Sequence, residues 1–167
     1  MRLKRLTTLA LFAVIALTIF VAESFIPVPV PLPGIKLGLS NIVTLFLLLH
    51  YKPADAFYVL LVRIVLSSLF TGGALYLLYS ICGGLCCFVA MCLIHRFLQG
   101  KYIFITSIFG ALFHNIGQLL AACVITGTLG VFSYLPFLIV SGTVTGLFTG
   151  LCAHYAQKYL KKYVPKM

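Results

Sequence analysis

His114, Asn115 and Gln118 form the densest group of polar side chains in the sequence, and they fall in the middle of an apolar run from Tyr102 to Thr126. An imidazole and two carboxamides can each donate and accept hydrogen bonds. On a helix, Gly110, His114, Gly117, Gln118 and Ala121 share one face, so small residues admit a neighbouring helix while the imidazole and amide face the gap. That arrangement suits either hydrogen bonds between helices or the polar wall of a ligand site. A proton relay through His114 has no acid near it in sequence to complete it. Arg63 is the second candidate. It lies near the middle of another apolar run, where an arginine costs about 2.5–3.5 kcal/mol on insertion scales. Such a charge faces a cavity or a counter-charge: Glu23, in an internal ion pair, or the anionic group of a ligand. Lys36, Ser40 and Asn41 are the third group, expected to open a helix just after Gly34. Free amides and the partial positive charge of a helix start attract anions, and a lysine there strengthens the attraction. The other reading of Lys36 is a side chain that snorkels to the membrane interface.

The elements that must hold these residues follow from composition. The chain has 167 residues, 62% of them hydrophobic and 8% charged, with a mean hydropathy of +1.16. Soluble domains carry about 25% charged residues, so this is an integral membrane protein. Twelve Lys and Arg stand against two acids, a formal charge of +10. A nucleic-acid binder would gather that surplus on a polar face. Here the basic residues sit between apolar runs, which points to lipid headgroups and away from nucleic acid. Continuous apolar stretches such as Leu45 to Leu49 do not alternate as the strands of a membrane barrel do.

Six apolar segments are legible, over residues 6–25, 35–51, 54–71, 74–95, 102–126 and 135–159, which predicts an all-α bundle of six transmembrane helices in one domain, 1–167. The first is read as a retained helix, because its apolar stretch is long for a signal peptide. With six spans, Arg2, Lys4, Arg5, Lys52, Arg96, Lys101, Lys158, Lys161, Lys162 and Lys166 share one side, while Lys36 stands alone on the other. That asymmetry places both termini in the cytoplasm. Between the first two segments, prolines at 27, 29, 31 and 33 forbid helix and predict an extended, semi-rigid external loop. The short second segment behind it suggests that the loop dips into the bundle and helps to form a pocket, with a stiff connector as the alternative. Gly142, Gly146 and Gly150 repeat a small-xxx-small spacing and are read as a helix-packing face. The cysteines at 82, 86, 87, 92, 123 and 152 fit no metal or cluster spacing and serve as small apolar side chains. Nothing in the sequence calls for a cofactor.

The run from Glu23-Ser24-Phe25-Ile26-Pro27 through Pro33-Gly34-Ile35-Lys36-Leu37-Gly38-Leu39-Ser40-Asn41-Ile42 resembles the bacterial membrane family called Gx transporter, also labelled heptaprenyl diphosphate synthase component I. More distantly, the order of apolar helix, proline-rich loop, Lys-Leu-x-x-Ser-Asn and later Thr71-Gly72-Gly73 is similar to riboflavin-type S components of energy-coupling factor (ECF) transporters. The resemblance spans about residues 5–155. It implies an S-component-like bundle in the bacterial cytoplasmic membrane, a first loop closing an outward-facing pocket, and an ECF coupling subunit with two ATPases as partners. Two features depart from the S-component pattern. Ala10, Ala13 and Ala16 fall at steps of three on the first helix, and Asn41 stands where the riboflavin type has Asp. The synthase label finds no catalytic motif: two acids cannot hold the magnesium–diphosphate cluster of a prenyl diphosphate synthase.

The expected function is therefore a non-catalytic membrane subunit that binds and translocates a small anionic or vitamin- or quinone-precursor-like molecule. The alternative is an accessory subunit of quinone or prenyl diphosphate synthesis, or of membrane electron transfer, with a quinone-pathway protein as partner. The topology is open to direct test. Single cysteines introduced at Ser133 and Lys162 in a Cys-free background should react with an impermeant reagent from outside at 133, and only after permeabilisation at 162. Labelling of both from outside would overturn the six-span arrangement.

Overall fold

Each long apolar run becomes a helix, since inside a hydrocarbon layer only helical geometry satisfies the backbone of an isolated segment. The computed structural model describes residues 2–26, 35–71 and 73–160. In chain order its helices are α1 (Arg2–Glu23), α2 (Asn41–His50), α3 (Pro53–Thr71), α4 (Ala74–Phe97), α5 (Ile103–Thr126) and α6 (Leu135–Leu160), with a 3-10 turn over Leu129–Tyr134 ahead of α6. Five helical stretches are long and apolar enough to cross a membrane. The chain is built as an all-helical, multi-pass membrane protein. The proline loop at 27–34, the residues on which the lid expectation rests, lies outside the described residues, as do Gly72 and the basic residues beyond Leu160.

The helix ends have local causes. Pro53 opens α3, where its missing amide hydrogen would have had no intrahelical partner. Gly127 closes α5 in the left-handed region, at φ 65°, with its amide returned to the Cys123 carbonyl.

The second segment departs from expectation. A helix over 35–51 was predicted; α2 covers ten residues, Asn41–His50. At 1.5 Å per residue it is about 15 Å long, half of a hydrocarbon core. Residues 35–38 have no regular structure, and 39–40 form a turn into the helix. Gly38 is the physical reason. Its φ of +81° is incompatible with a right-handed helix, and its amide is engaged by a side chain of α1 rather than by a preceding carbonyl. Lys36 accordingly lies five residues ahead of the helix it was expected to open.

α2 is a buried pillar. Val43, Thr44, Leu45, Phe46, Leu47, Leu48 and His50 are all buried, so it is enclosed by the other helices rather than by lipid. Two apolar clusters mark the two ends of the bundle. One gathers Phe12, Leu48, Tyr51, Ala56, Met91 and Ala153. The other gathers Ile35, Tyr79, Leu119, Ala122, Val131 and Leu138. At the first end Arg5 Nη2 donates to Asp55 Oδ1 at 2.5 Å, joining the start of α1 to the start of α3. Successive helices therefore run up and down between the two ends.

α5 packs closely against both α4 and α6. A Cβ added at Gly117 would stand 2.5 Å from the Cys82 carbonyl oxygen, and one at Gly146 would stand 2.6 Å from the Ile108 Cα. Gly142 and Gly150 meet Asn115 and Ser107 in the same way, so all three α6 glycines face α5. Backbone cannot yield as a flexible side chain can. Gly146→Ala should cost about 1–3 kcal/mol through overpacking and lower the melting temperature in detergent. Gly130→Ala, whose Cβ would meet only Thr128 Oγ1 at 3.4 Å, should leave that temperature unchanged.

Candidate functional site

The interrupted start of α2 brings the candidate residues together. The non-helical stretch 35–40 is held between α1 and α5 by side chains that meet its exposed backbone. Glu23 Oε1 accepts the Gly38 amide at 2.6 Å, and Gln118 Oε1 accepts the Lys36 amide at 3.3 Å. The Asn41 amide turns back to the Gly38 carbonyl at 3.0 Å, closing the turn that leads into α2. Gly38 fits against the imidazole of α5, and an added Cβ would lie 2.7 Å from His114 Cδ2.

Around this turn lies a small enclosed cavity of about 10 Å³, lined by Phe20, Glu23, Lys36, Gly38, Ser40, Arg63, Ser80, His114 and Gln118. That volume holds roughly one water molecule. Arg63, Glu23 and His114 are each 3% exposed. Arg63 enters from the middle of α3, and its Nη1 donates to Ser40 Oγ, while Nε and Nη2 have no partner. Glu23 Oε2 has no partner either. Both amide atoms of Asn41 and both ring nitrogens of His114 are also without hydrogen bonds, although the ring lies against Gly83. Buried polar atoms are nearly always satisfied. At this one turn several buried polar atoms keep open hydrogen-bonding capacity.

Lys36 closes the outer side. Its Nζ donates to Ser24 Oγ at 2.6 Å and stands 3.4 Å from the centroid of the Phe20 ring. The Arg63 guanidinium carbon lies 5.8 Å from the same centroid. An aromatic face attracts cations, more strongly where water is excluded. With Glu23 ionised, two cations and one carboxylate give the site a formal charge of +1. Of the two alternatives open to Arg63, an internal partner or a ligand, Glu23 lines the same cavity and is near enough to interact with it electrostatically, while the ion pair in contact among the described residues is Arg5–Asp55.

Lys36, Ser40, Arg63, His114 and Gln118 thus line one cavity, and Asn41 sits directly beside it. Asn115 does not join them. One residue on from His114, it points to α6, where Nδ2 donates to the Leu138 carbonyl at 2.8 Å. Sequence reasoning passed over Phe20, Ser24, Ser80 and Gly38. Phe20 sits three residues before Glu23 and so on the same helical face, a signal that was available. Ser80 is a lone hydroxyl in an apolar run and carried none.

A family model described as heptaprenyl diphosphate synthase component I matches residues 12–156, which include every residue of the cavity wall. The chain belongs to the heptaprenyl diphosphate synthase component I family. No curated protein and no solved structure matches it. In this member of the component I family, no group of three or more His, Cys, Asp or Glu side chains among the described residues is placed to hold a metal ion.

The turn at Gly38 is the point on which the geometry rests. Gly38→Ala would impose a left-handed alanine, about 1–2 kcal/mol, and drive a methyl against His114 and the Asn41 amide, 2.8 Å away. A lowered melting temperature in detergent is expected, whereas Ser24→Ala, which removes the Lys36 contact and a local bond to the Phe20 carbonyl at a part-exposed helix end, should lower it less.

Proposed function

We propose that this chain is a membrane-embedded binding and translocation subunit, without catalytic activity of its own, for a small anionic molecule received at Lys36, Ser40, Asn41, Arg63, His114 and Gln118. One observation carries the reading. Two cations and a single carboxylate surround a cavity whose buried polar atoms, on Arg63, Glu23, Asn41 and His114, are left with open hydrogen-bonding capacity. A buried charge without compensation is costly, so an anion with several acceptor atoms is the complement of this wall. The cavity is closed around about one water, and a vitamin- or quinone-precursor-sized ligand requires it to open. Interrupted helices with unwound backbone at mid-membrane are a recurrent way of building such sites in transporters.

The same reading includes six crossings in a bacterial cytoplasmic membrane, with both termini inside. Residues 35–38, at up to about 3.3 Å each, and the 15 Å of α2 together come to about 28 Å, close to the thickness of one hydrocarbon core. The pairing of Arg5 with Asp55 at one end of the bundle agrees with that alternation, and the basic loops favour it as the cytoplasmic end.

The family description supports a second reading, in which the subunit assembles with the other component of a prenyl diphosphate synthase and presents or receives an anionic amphiphile. Purification under mild detergent separates the two. An ECF-type coupling subunit with ATPases supports transport, and a soluble synthase component supports the second reading.

The anion site itself is tested by ligand retention. Lys36→Ala and Arg63→Gln should each reduce the native small molecule retained after extraction by about tenfold or more, as truncation of a buried charged contact does. Mass spectrometry of monodisperse protein measures this. Full occupancy in both variants, or an uncharged hydrocarbon as ligand, would rule the reading out.

A further inference from the structure

Glu23 is the one acid in the cavity wall, and the anion-binding reading leaves it without a task. Its carboxylate is 3% exposed at the end of α1. Oε1 holds the Gly38 amide, and Oε2 has no partner. Arg63, equally buried, has Nε and Nη2 open. Opposite charges buried in one small cavity normally close into contact, because each otherwise bears its desolvation cost alone. These two line the same cavity without forming an ion pair.

Charge arithmetic gives the gap a meaning. With Glu23 ionised the wall carries +2 − 1 = +1, and a doubly charged anion would bring the buried assembly to −1. With Glu23 protonated the wall carries +2, and the same anion brings it to zero. In a medium of low effective dielectric a residual buried charge is strongly disfavoured. The protonated carboxyl also keeps its bond to Gly38 through Oε1, while Oε2 gains a hydrogen to donate. The open atom then becomes a donor facing the cavity that an anion would fill.

We infer that, at the anion site proposed above and resting on that reading, binding of a doubly charged anion is coupled to the uptake of one proton by Glu23. The proton comes from the aqueous phase and converts carboxylate to carboxylic acid. No bond in the anion changes. In the empty state Glu23 is the internal counter-ion of Lys36 and Arg63, and in the filled state the ligand takes over that role.

The other groups facing Glu23 are Lys36 from the 35–40 stretch, Arg63 from α3 and His114 from α5. α4 contributes the Ser80 hydroxyl to the wall, with the Cys87 thiol close enough to Arg63 to interact electrostatically. α2 presents the Asn41 amide, which does not titrate. Lys36 is taken as protonated throughout, so proton uptake there would count against the coupling, and His114 is the other rival proton acceptor. Protonation there would create a third cation in the wall beside Arg63, whereas protonation of Glu23 removes a buried anion with an unmet oxygen.

Sulfate is the suitable probe, because it carries two charges and does not itself titrate over about pH 6–9. Calorimetry of sulfate binding to purified protein in lipid nanodiscs, repeated in buffers of different ionisation enthalpy, counts protons taken up per anion. Wild type should take up about one proton per sulfate at the alkaline end, with affinity falling about tenfold per pH unit there. Glu23→Gln, which keeps an acceptor for the Gly38 amide, should bind sulfate with no proton uptake and no pH dependence. Its retained binding also reports that it folds. Unaltered proton uptake in Glu23→Gln would overturn the coupling and leave the anion site standing. Absence of sulfate binding in wild type at every pH would overturn both.

Discussion

A stretch of chain that abandons helical geometry inside a hydrocarbon layer must have its amides and carbonyls met by protein, because no water is there to meet them. Residues 35–40 abandon helical geometry within the helical bundle, and much of the bundle is arranged around the same requirement. Glu23 and Gln118 meet two of its amides from either side. For both to reach it, α1 and α5 must approach the same turn, and α5 can do so only because Gly83 and Gly117 let α4 lie close behind it. The carboxylate that satisfies Gly38 then needs positive charge nearby, which Arg63 and Lys36 provide from α3 and from the stretch itself.

The polar cluster therefore has a structural role, and the proposed anion site is built on the same side chains. Its cations are partly offset by the Phe20 face, Ser24 and Ser40, and its remaining open atoms converge on one small cavity. A purely structural network gains nothing from leaving so many atoms unmet, since a partly satisfied buried network is worse than an apolar core. Membership of the component I family does not by itself assign the cavity a ligand, and the chemistry of the wall is the firmer guide.

The long helices were legible because apolar runs of the right length have few alternatives in a membrane. Arg63, Lys36, Glu23 and His114 were legible for the converse reason, that each polar group in such a run requires an explanation. The shortness of α2 was not. A buried extended stretch and a buried helix are both continuous apolar sequence, and periodicity cannot tell them apart. Only the backbone angle at Gly38 separates them, and a glycine in the sequence does not announce which side of the Ramachandran map it occupies. Asn115 was grouped with His114 by proximity in sequence, yet a step of about 100° around the helix carries it to α6. The Arg5–Asp55 contact joins residues fifty positions apart, and it depended on a helix register that sequence alone did not fix.

That contact has a mechanical consequence. It fastens the first turns of α1 to α3 at one end of the bundle, while the far end of α1 carries Phe20 and Glu23, one side of the polar cavity. Some 18 residues, or about 27 Å of stiff helix, separate fulcrum from wall. A pivot of about 10° about Arg5 swings Glu23 by about 5 Å. α5, wedged between α4 and α6 by glycines whose neighbours are backbone, has no such freedom. The tip that such a pivot would displace is tied to the charge cluster by the Glu23–Gly38 bond, so any swing of α1 is felt first at the cavity wall.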